Sequence, residues 1–542
     1  MKIVHWLRKE FWCNLSMPQV CDMNVGVLRN ETTHPMNVRR ISICALRALT
    51  TVLLLLIVVG CTVGPKYYPP DLSATTAQPW QAASLDAGTG RIGTQAGPVA
   101  AWWQQFGDKE LTRLVTELTR QNLTLEEARQ RVVAVRAIRG EISSERWPQL
   151  DATAAAGSAG TGREGVNFNG PPPGVEKNVY EAGLSAAWEL DLWGRVARLT
   201  HAADANVEIA MEDYHDAAVS LAAELATAYM DLRTLRARMD VLDQNIKLQR
   251  KALALAESEL DAGSGSKLDV AQAQSQLSQT LAMRPALRDA SARFENRIAV
   301  LLGRRPGANL IAPGGIPQMP KILGLGLPAE LIERRADVRR AIAAYRGAVE
   351  LVGAAKAERY PAFTLTGTLN VQSTDTANLF GGHAFAYNFG PSLSLPLFAG
   401  GRIDATIHER IARVEERRAA AERTLLEAIG EVENAAVGVA RGEERQQDLT
   451  DAALAARNVV DMTEHLYRSG LADMSQVIAA TRAFMDLEDK RLQAQRDALV
   501  ESVRLYRALG GGWQELPQNA TPRAAVTNAA TAGAKQTLET RP

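Results

Sequence analysis

Apolar and polar residues alternate along four short segments of this chain, and a long stretch of helical period follows each pair of them. Tyr180, Ala182, Leu184, Ala186, Trp188, Leu190 and Leu192 alternate with Glu181, Gly183, Ser185, Ala187, Glu189 and Asp191. That period of two predicts a strand with one oily and one wet face. Further on, Phe363, Leu365, Leu369 and Val371 alternate with Thr364, Thr366, Thr368, Asn370 and Gln372, and a return strand puts Leu393, Leu395 and Leu397 on one side. Residues 149–160, mostly Ala and Gly, form the weakest of the four. Alternation over roughly ten residues fits a transmembrane β-barrel strand, and it fits a half-buried strand of a soluble sandwich as well.

The segments that follow narrow the choice. From Gly194 to about Ala262, and again from Gly401 to about Ser469, there is no proline. Each predicts one helix of roughly 65 residues, about 100 Å long at 1.5 Å per residue, which no compact domain accommodates. Along the first rod Leu225, Ala228, Leu232, Leu235, Met239, Leu242, Ile246, Leu253, Ala256 and Leu260 keep a 3-4 spacing, the period of a coiled-coil seam. The second rod carries smaller residues at many equivalent places (Ala428, Val432, Ala435, Val439), which predicts closer packing. Taken alone, the rods favour an extended dimeric coiled coil.

The two halves share one offset. Gly194-Arg195 recurs as Gly401-Arg402, Gly263 as Gly470, and Leu302-Gly303 as Leu509-Gly510, each pair 207 residues apart. A constant spacing over three landmarks reads as one unit built twice, with residues 178–303 echoed by 385–510.

Composition removes several function classes. Lys+Arg and Asp+Glu both number 61 in the 542 residues, so no basic excess is available to neutralise phosphates, which argues against nucleic-acid binding. One stretch, about Ile41 to Val59, is continuously apolar. It follows Arg39 and Arg40 and ends at Val58-Val59-Gly60-Cys61, the arrangement of a lipoprotein signal peptide, although a transmembrane anchor is the alternative. Met36 then serves as a natural start, with residues 1–35 an over-long leader. Cys13, Cys21 and Cys44 precede the cut, so Cys61 is the one cysteine of the mature chain and an acylation site. Acyl chains contribute about 0.8 kcal/mol per buried methylene, which makes a durable anchor. Thr62 stands where an aspartate favours inner-membrane retention, which points to the outer membrane of a Gram-negative cell.

Four strands cannot close a barrel, and an open edge in lipid leaves unpaired N–H and C=O groups costing several kcal/mol each. Three copies supply twelve strands, the smallest number of copies that leaves a conduit, because an eight-stranded barrel from two copies is filled by side chains.

Several motifs occur in a fixed order: Cys61-Thr-Val-Gly-Pro-Lys-Tyr67, Trp102-Trp103-Gln-Gln-Phe106-Gly-Asp108, Asn122-Leu-Thr-Leu125 with Ala128, Gly326-Leu-Pro328-Ala-Glu-Leu331, and Leu397-Phe-Ala-Gly-Gly-Arg402. Over roughly residues 61–515 the chain resembles the outer-membrane lipoproteins of tripartite efflux pumps, the OprM-like branch of the TolC superfamily. The resemblance implies a mostly α protein with a membrane β-barrel. Its parts are an internally duplicated β-hairpin plus long helices, in a homotrimer with a 12-stranded β-barrel and a 12-helix α-barrel. It also implies an exit duct for an inner-membrane transporter of the resistance–nodulation–division (RND) type, reached through a periplasmic adaptor. The segments it implies are a leader and signal peptide (1–60), a lipidated N-terminal and equatorial part (61–105), a first repeat (106–303), an equatorial linker (304–327), a second repeat (328–510), and a C-terminal equatorial segment with a tail (511–542). Ala336 stands where the family often has proline after Arg-Arg, and residues 1–35 have no counterpart.

Enzyme chemistry finds no foothold. There is no HExxH, CxxC or GxSxG, and the Gly263-Ser-Gly265-Ser-Lys267 stretch lacks the spacing of a phosphate loop. His201, His215, His383, His408 and His465 are scattered without ligand spacing. Neither a metal nor a cofactor is expected beyond lipid on Cys61. The Ala/Thr/Pro-rich tail from Pro517 to Pro542 has a composition of disorder. A protein-secretion duct of type I, or a periplasmic coiled-coil scaffold, shares many of these features, but a scaffold has no use for duplicate hairpins with an oily face.

The periplasmic tip carries the candidate gate. Ala262-Gly263-Ser264-Gly265 and Arg468-Ser469-Gly470-Leu471 are the turns between the long and short helices, followed by Ser266-x-x-Asp269 and Asp473-x-x-Gln476, both with capping-box spacing. The resemblance adds that Asp269 and Tyr467 match groups linking neighbouring helices in a closed tip. It also sets Ser475, Gln476 and Ala479 where relatives often carry leucine or aspartate rings, acids this chain lacks. Arg482 matches a pore-side position of some relatives, and a solvated helix arginine explains it equally well.

Overall fold

The computed structural model describes residues 62–81, 92–93, 95, 97, 99–160, 176–307 and 310–516. The segment expected to be a signal peptide, Cys61 and the tail from Pro517 lie outside the described residues. Two helices, α1 (Lys109–Gln121) and α2 (Leu123–Ser144), lead into strands β1 (Gln149–Gly160) and β2 (Glu176–Leu190), then α3 (Arg195–Asp261) and α4 (Lys267–Leu301). The second half runs α5 (Ala336–Ala357), β3 (Ala362–Ser373), β4 (Phe385–Ser394), α6 (Arg402–Arg468) and α7 (Met474–Ala508). Both long helices have 67 residues and both of their partners have 35.

The strands form one antiparallel sheet in the order β1-β2-β3-β4. Its register sorts the side chains into two faces. Leu184 lies opposite Leu369, Trp188 opposite Leu365, and Leu369 in turn opposite Tyr387. The other face pairs Ser185 with Thr368 and Thr368 with Asn388. Among the described residues no layer covers the apolar face: Leu150, Leu184, Leu365, Phe385, Tyr387, Phe389 and Leu393 are all exposed in the isolated chain. Such an uncovered face is abnormal for a sheet in water. Among the described residues no helix is long and apolar enough to cross a membrane.

Two strand boundaries differ from the sequence pattern. The second strand stops at Leu190 and not at Leu192, because the Asp191 carboxylate turns back to accept from the backbone N–H groups of Val196 (3.1 Å) and Ala197 (2.7 Å). It thereby satisfies donors at the start of α3 that the N-cap Gly194 cannot. The return strand ends at Ser394, so Leu395 and Leu397 lie beyond it. Pro396 has no N–H to continue a ladder, and Gly400 and Gly401 (φ +57° and +83°) turn the chain into α6.

Below the sheet the helices pack side by side. α3 lies against α2, α4, α5 and α7, and α6 against α5 and α7. Leu225, Leu232, Leu242 and Ile246 of the first rod are buried, as are Ala428, Val432, Ala435 and Val439 of the second. The small residues do bring backbones together: a Cβ on Gly442 of α6 would lie 3.3 Å from Cα of Ala498 in α7.

A collar of irregular segments surrounds mid-helix. Trp102, with no exposed surface, stacks on Tyr506 of α7 at 5.5 Å and meets Trp103 and Phe106 edge-on. Burial pushes the Tyr506 hydroxyl up to about 12. Asp108 caps α1 by accepting from Glu110 and Leu111 N–H groups, and its second oxygen accepts from Tyr229 of α3 at 2.7 Å. Trp513, near the end of the described chain, lies between the His215 ring (4.5 Å) and the Arg339 guanidinium (4.8 Å).

Candidate functional site at the helical tip

The ends of the long helices are built from backbone first. α3 closes with Gly263 N–H donating to Leu260 O (3.0 Å) and Ser264 N–H to Glu259 O (3.0 Å); α6 closes with Gly470 N–H to Tyr467 O (2.9 Å) and Leu471 N–H to Leu466 O (2.9 Å). Gly263 and Gly470 have φ of +78° and +72°, the left-handed conformation that ends a helix at least cost when the residue is glycine.

The two capping signals fold differently. Ser266 is the N-cap of α4 and accepts from Leu268 N–H at 3.0 Å. The reciprocal half of that box is missing, since the Asp269 carboxylate makes no bond to Ser266 N–H among the described residues. Asp473 is the N-cap of α7, but its side chain accepts no cap bond. Its carbonyl instead receives Gln476 N–H at 3.0 Å, so the second capping box expected from the spacing is not formed by side chains.

The link across the tip also has a different acceptor. Tyr467 donates its hydroxyl to Glu259 Oε2 at 2.7 Å, joining the last turn of α6 to the last turn of α3. Asp269, the acceptor expected from the sequence, only adds its charge nearby. Burial, then the bond to Glu259, raise the Tyr467 pKa, so the phenol remains a donor throughout the physiological range. The ring packs against a small cluster of Ala256, Met474, Val477, Val270 and Ile478 that spans α3, α4 and α7.

Ser475, Gln476, Ala479 and Arg482 are all exposed. Their spacing sets them along one side of α7. Arg482 is not a free solvated cation: its guanidinium reaches Gln276 and, at 3.2 Å, Gln279 of α4. Glu259, Gln276 and Gln279 were not singled out by the sequence, because a lone Glu or Gln on a helix surface carries no pattern. Two further cross-links brace the lower helices, Arg238 to Asp489 (α3 to α7, 3.1 Å) and Arg284 to Asp243 (α4 to α3, 3.1 Å).

An apolar-faced sheet with two open edges, carried on helices roughly 100 Å long that end in a pinned tip, defines a subunit of an outer-membrane helical channel. The pattern of outer membrane efflux proteins matches residues 114–304 and 327–511. The chain belongs to that family. It is 28% identical over 466 residues to the solvent efflux pump outer membrane protein SrpC of Pseudomonas putida, covering 85% of this chain and 97% of that one. Against the outer membrane protein OprJ of Pseudomonas aeruginosa it is 28% identical over 471 residues, covering 86% and 96%. The fold superimposes on the solved outer-membrane channel OprN with a TM-score of 0.73 at 33% identity, covering 84% of this chain and all of the other.

Proposed function

We propose that three copies of this chain form the exit duct of a tripartite RND-type efflux system in the outer membrane, conducting small molecules such as drugs passively from an inner-membrane pump and periplasmic adaptor to the outside. The carrying observation is the four-stranded sheet, whose apolar face is uncovered and whose edges β1 and β4 have no partner strand among the described residues. In lipid those edges must pair, and twelve strands from three chains close a barrel wide enough to conduct. The equal lengths of the long and short helices in the two halves support one unit built twice, residues 106–303 and 328–510, with the linker 304–327 between them.

The start of the described chain supports the anchor. Val63 N–H donates to Trp193 O at 3.0 Å, and Thr62 is so close to Gly194 that a Cβ there would meet it at 2.8 Å. Thr62 and Val63 therefore lie at the foot of the sheet, an arrangement compatible with lipid on the preceding cysteine entering the inner leaflet beside the barrel. Leu268, Leu466 and Leu471 are exposed around the tip, an apolar rim suited to adaptor docking. The family is one of channels and not of enzymes. Among the described residues no group of three or more His, Cys, Asp or Glu could hold a metal.

Light scattering on detergent-solubilised protein is expected to give three chains per particle, with conductance on reconstitution; a monomer or dimer that keeps its β-structure would refute the trimer. Mass spectrometry of the purified N-terminus is expected to find lipid on Cys61. Cys61→Ser should reduce membrane association without abolishing it, because the barrel remains inserted. An unmodified chain starting at Met1 or Met36 contradicts the anchor.

A further inference from the structure

Two concavities lie on the helical layer away from the collar, and their linings share a composition that the neutral net charge of the chain does not suggest. The lower one, about 770 Å³, is bounded by α3, α4 and α7 and lined by Arg293, Arg297, Arg496, Arg504 and Arg507 around Ala223, Phe294, Val500 and Val503. The upper one, about 660 Å³, is bounded by α2, α3, α5 and α6 and lined by Arg340, Arg410, Arg413, Arg417 and Arg423 around Ala344, Leu351 and Leu199. Glu224 is the single acidic residue in either lining.

Both belong to one face. On α3 the lining residues Ala202, Ile209 and Ala223 occupy one heptad position and Asn206, Ser220 and Thr227 another, so a continuous stripe connects the two. Leu225, Tyr229 and Leu232, which pack in the same core as Trp102, lie on the opposite side of that helix, while Ala223, Val500 and Val503 on the concavity floor close the same core from the other side. In a closed cylinder the collar segments would plug the conduit if they were inside. On the duct reading the collar therefore belongs outside, which puts the arginine stripe on the side of the lumen.

The arginines differ in how far their charge is already answered. Arg297 pairs with Glu224, Arg293 with Asp289 (2.9 Å), Arg496 with Asp231 (2.6 Å) and Asp497 (2.9 Å), Arg504 with Glu501, Arg340 with Asp213 (2.8 Å), Arg413 with Glu409 and Glu416, Arg410 with Glu409 and Arg423 with Glu427. Apart from Glu224 these acids stay out of the linings. Asp213 and Asp216 occupy the stretch of α3 between the concavities, where Asp216 feels both Arg340 and Arg507. Arg417 and Arg507 form no ion pair among the described residues. An apolar floor rimmed by guanidinium groups, of a size that suits a small organic molecule, selects for an anion with an apolar body.

We propose that the lumen of this channel binds amphipathic organic anions, carboxylates or sulfonates with an apolar body, in the two arginine-rimmed concavities. The location in a lumen rests on the duct reading above; binding at the concavities does not. Cholate, a carboxylate on a rigid apolar body, serves as the probe, with full-length protein in neutral-lipid nanodiscs and equilibrium dialysis as the measurement. Saturable binding is expected. The triple variant Arg293→Gln, Arg504→Gln, Arg507→Gln, eluting as the same oligomer, should weaken binding at the lower concavity roughly tenfold or more, the scale of losing one or two charge-assisted bonds, so that about half of the cholate bound per chain at wild-type affinity is lost and the upper concavity keeps the rest. Arg441→Gln, on an exposed pair outside both concavities, should leave it unchanged. In planar bilayers under a KCl gradient the wild type should reverse toward the chloride potential and the triple variant should move toward potassium. No saturable cholate binding, or equal binding by wild type and triple variant, overturns the proposal, as does a potassium-selective wild type. Failure of the duct reading looks different: cholate binds and depends on the arginines, yet no current flows at any gradient.

Discussion

Tyr467→Phe and Glu259→Gln are each expected to raise the open probability of reconstituted channels by about three- to tenfold, and the double variant by no more than either alone. The expectation follows from one bond. The Tyr467 hydroxyl donates to Glu259 at 2.7 Å across the ends of α6 and α3. Removing a hydrogen bond to a carboxylate typically costs on the order of 1.5–3 kcal/mol, and solvent screening at a half-exposed site lowers that toward about 1 kcal/mol. Because Tyr467→Phe removes the donor and Glu259→Gln weakens the acceptor by taking away its charge, both act on the same link and their effects must fail to add. Asp269→Ala is the control: its carboxylate lies near the phenol without bonding to it, so its effect on opening should be small. Single-channel recording in planar bilayers reads all four. Wild-type behaviour of both Tyr467→Phe and Glu259→Gln, or a larger effect from Asp269→Ala, would return the gate to Asp269 or to contacts between chains.

Trp102→Ala is expected to remove about 3–5 kcal/mol from the folded chain, the range for deleting a fully buried aromatic residue. The ring has no exposed surface and touches Tyr506, Trp103 and Phe106, so truncation leaves a void that the helices on either side are too stiff to fill. The consequence reaches beyond one side chain. Trp102 joins the collar to α7, which arrives some four hundred residues later in the chain. Thermal melts of purified protein followed by helical circular dichroism should show a clearly lower midpoint, and the outer membrane should hold less of the variant. Trp102→Phe, which keeps part of the stack, should fall between. An unchanged midpoint for Trp102→Ala would mean that the collar does not hold the helices together.

Sequence periodicity reached the long elements because burial alone imposes it. Alternation at 180–190 and 363–372 arises when one face of a strand meets an apolar medium, and the 3-4 spacing of Leu225, Leu232 and Leu242 arises when a helix lies in a layer of helices. The turns at Gly263 and Gly470 were legible for a related reason: a left-handed residue ends a helix, and glycine adopts it most easily. The ends of the strands were less legible. Asp191 continues the alternation on paper, but its carboxylate satisfies helix donors that no period of two describes.

The cross-helix bonds lie on the other side of that line. Tyr467 and Glu259 are 208 residues apart and neither belongs to a repeating pattern, so only the packing of the end of α6 against α3, α4 and α7 makes them neighbours. The same holds for Arg482 with Gln276, and for arginines from four helices that converge on one face of the layer. By itself the sequence determined where rods, strands and turns fall, since each follows from local backbone chemistry or from which faces avoid water. The tertiary structure alone decided which acid receives the tyrosine and which face gathers the arginines, because those depend on rotation and register between helices. Polar contacts of a few ångströms depend on that alignment, whereas the hydrophobic pattern is satisfied by several alignments.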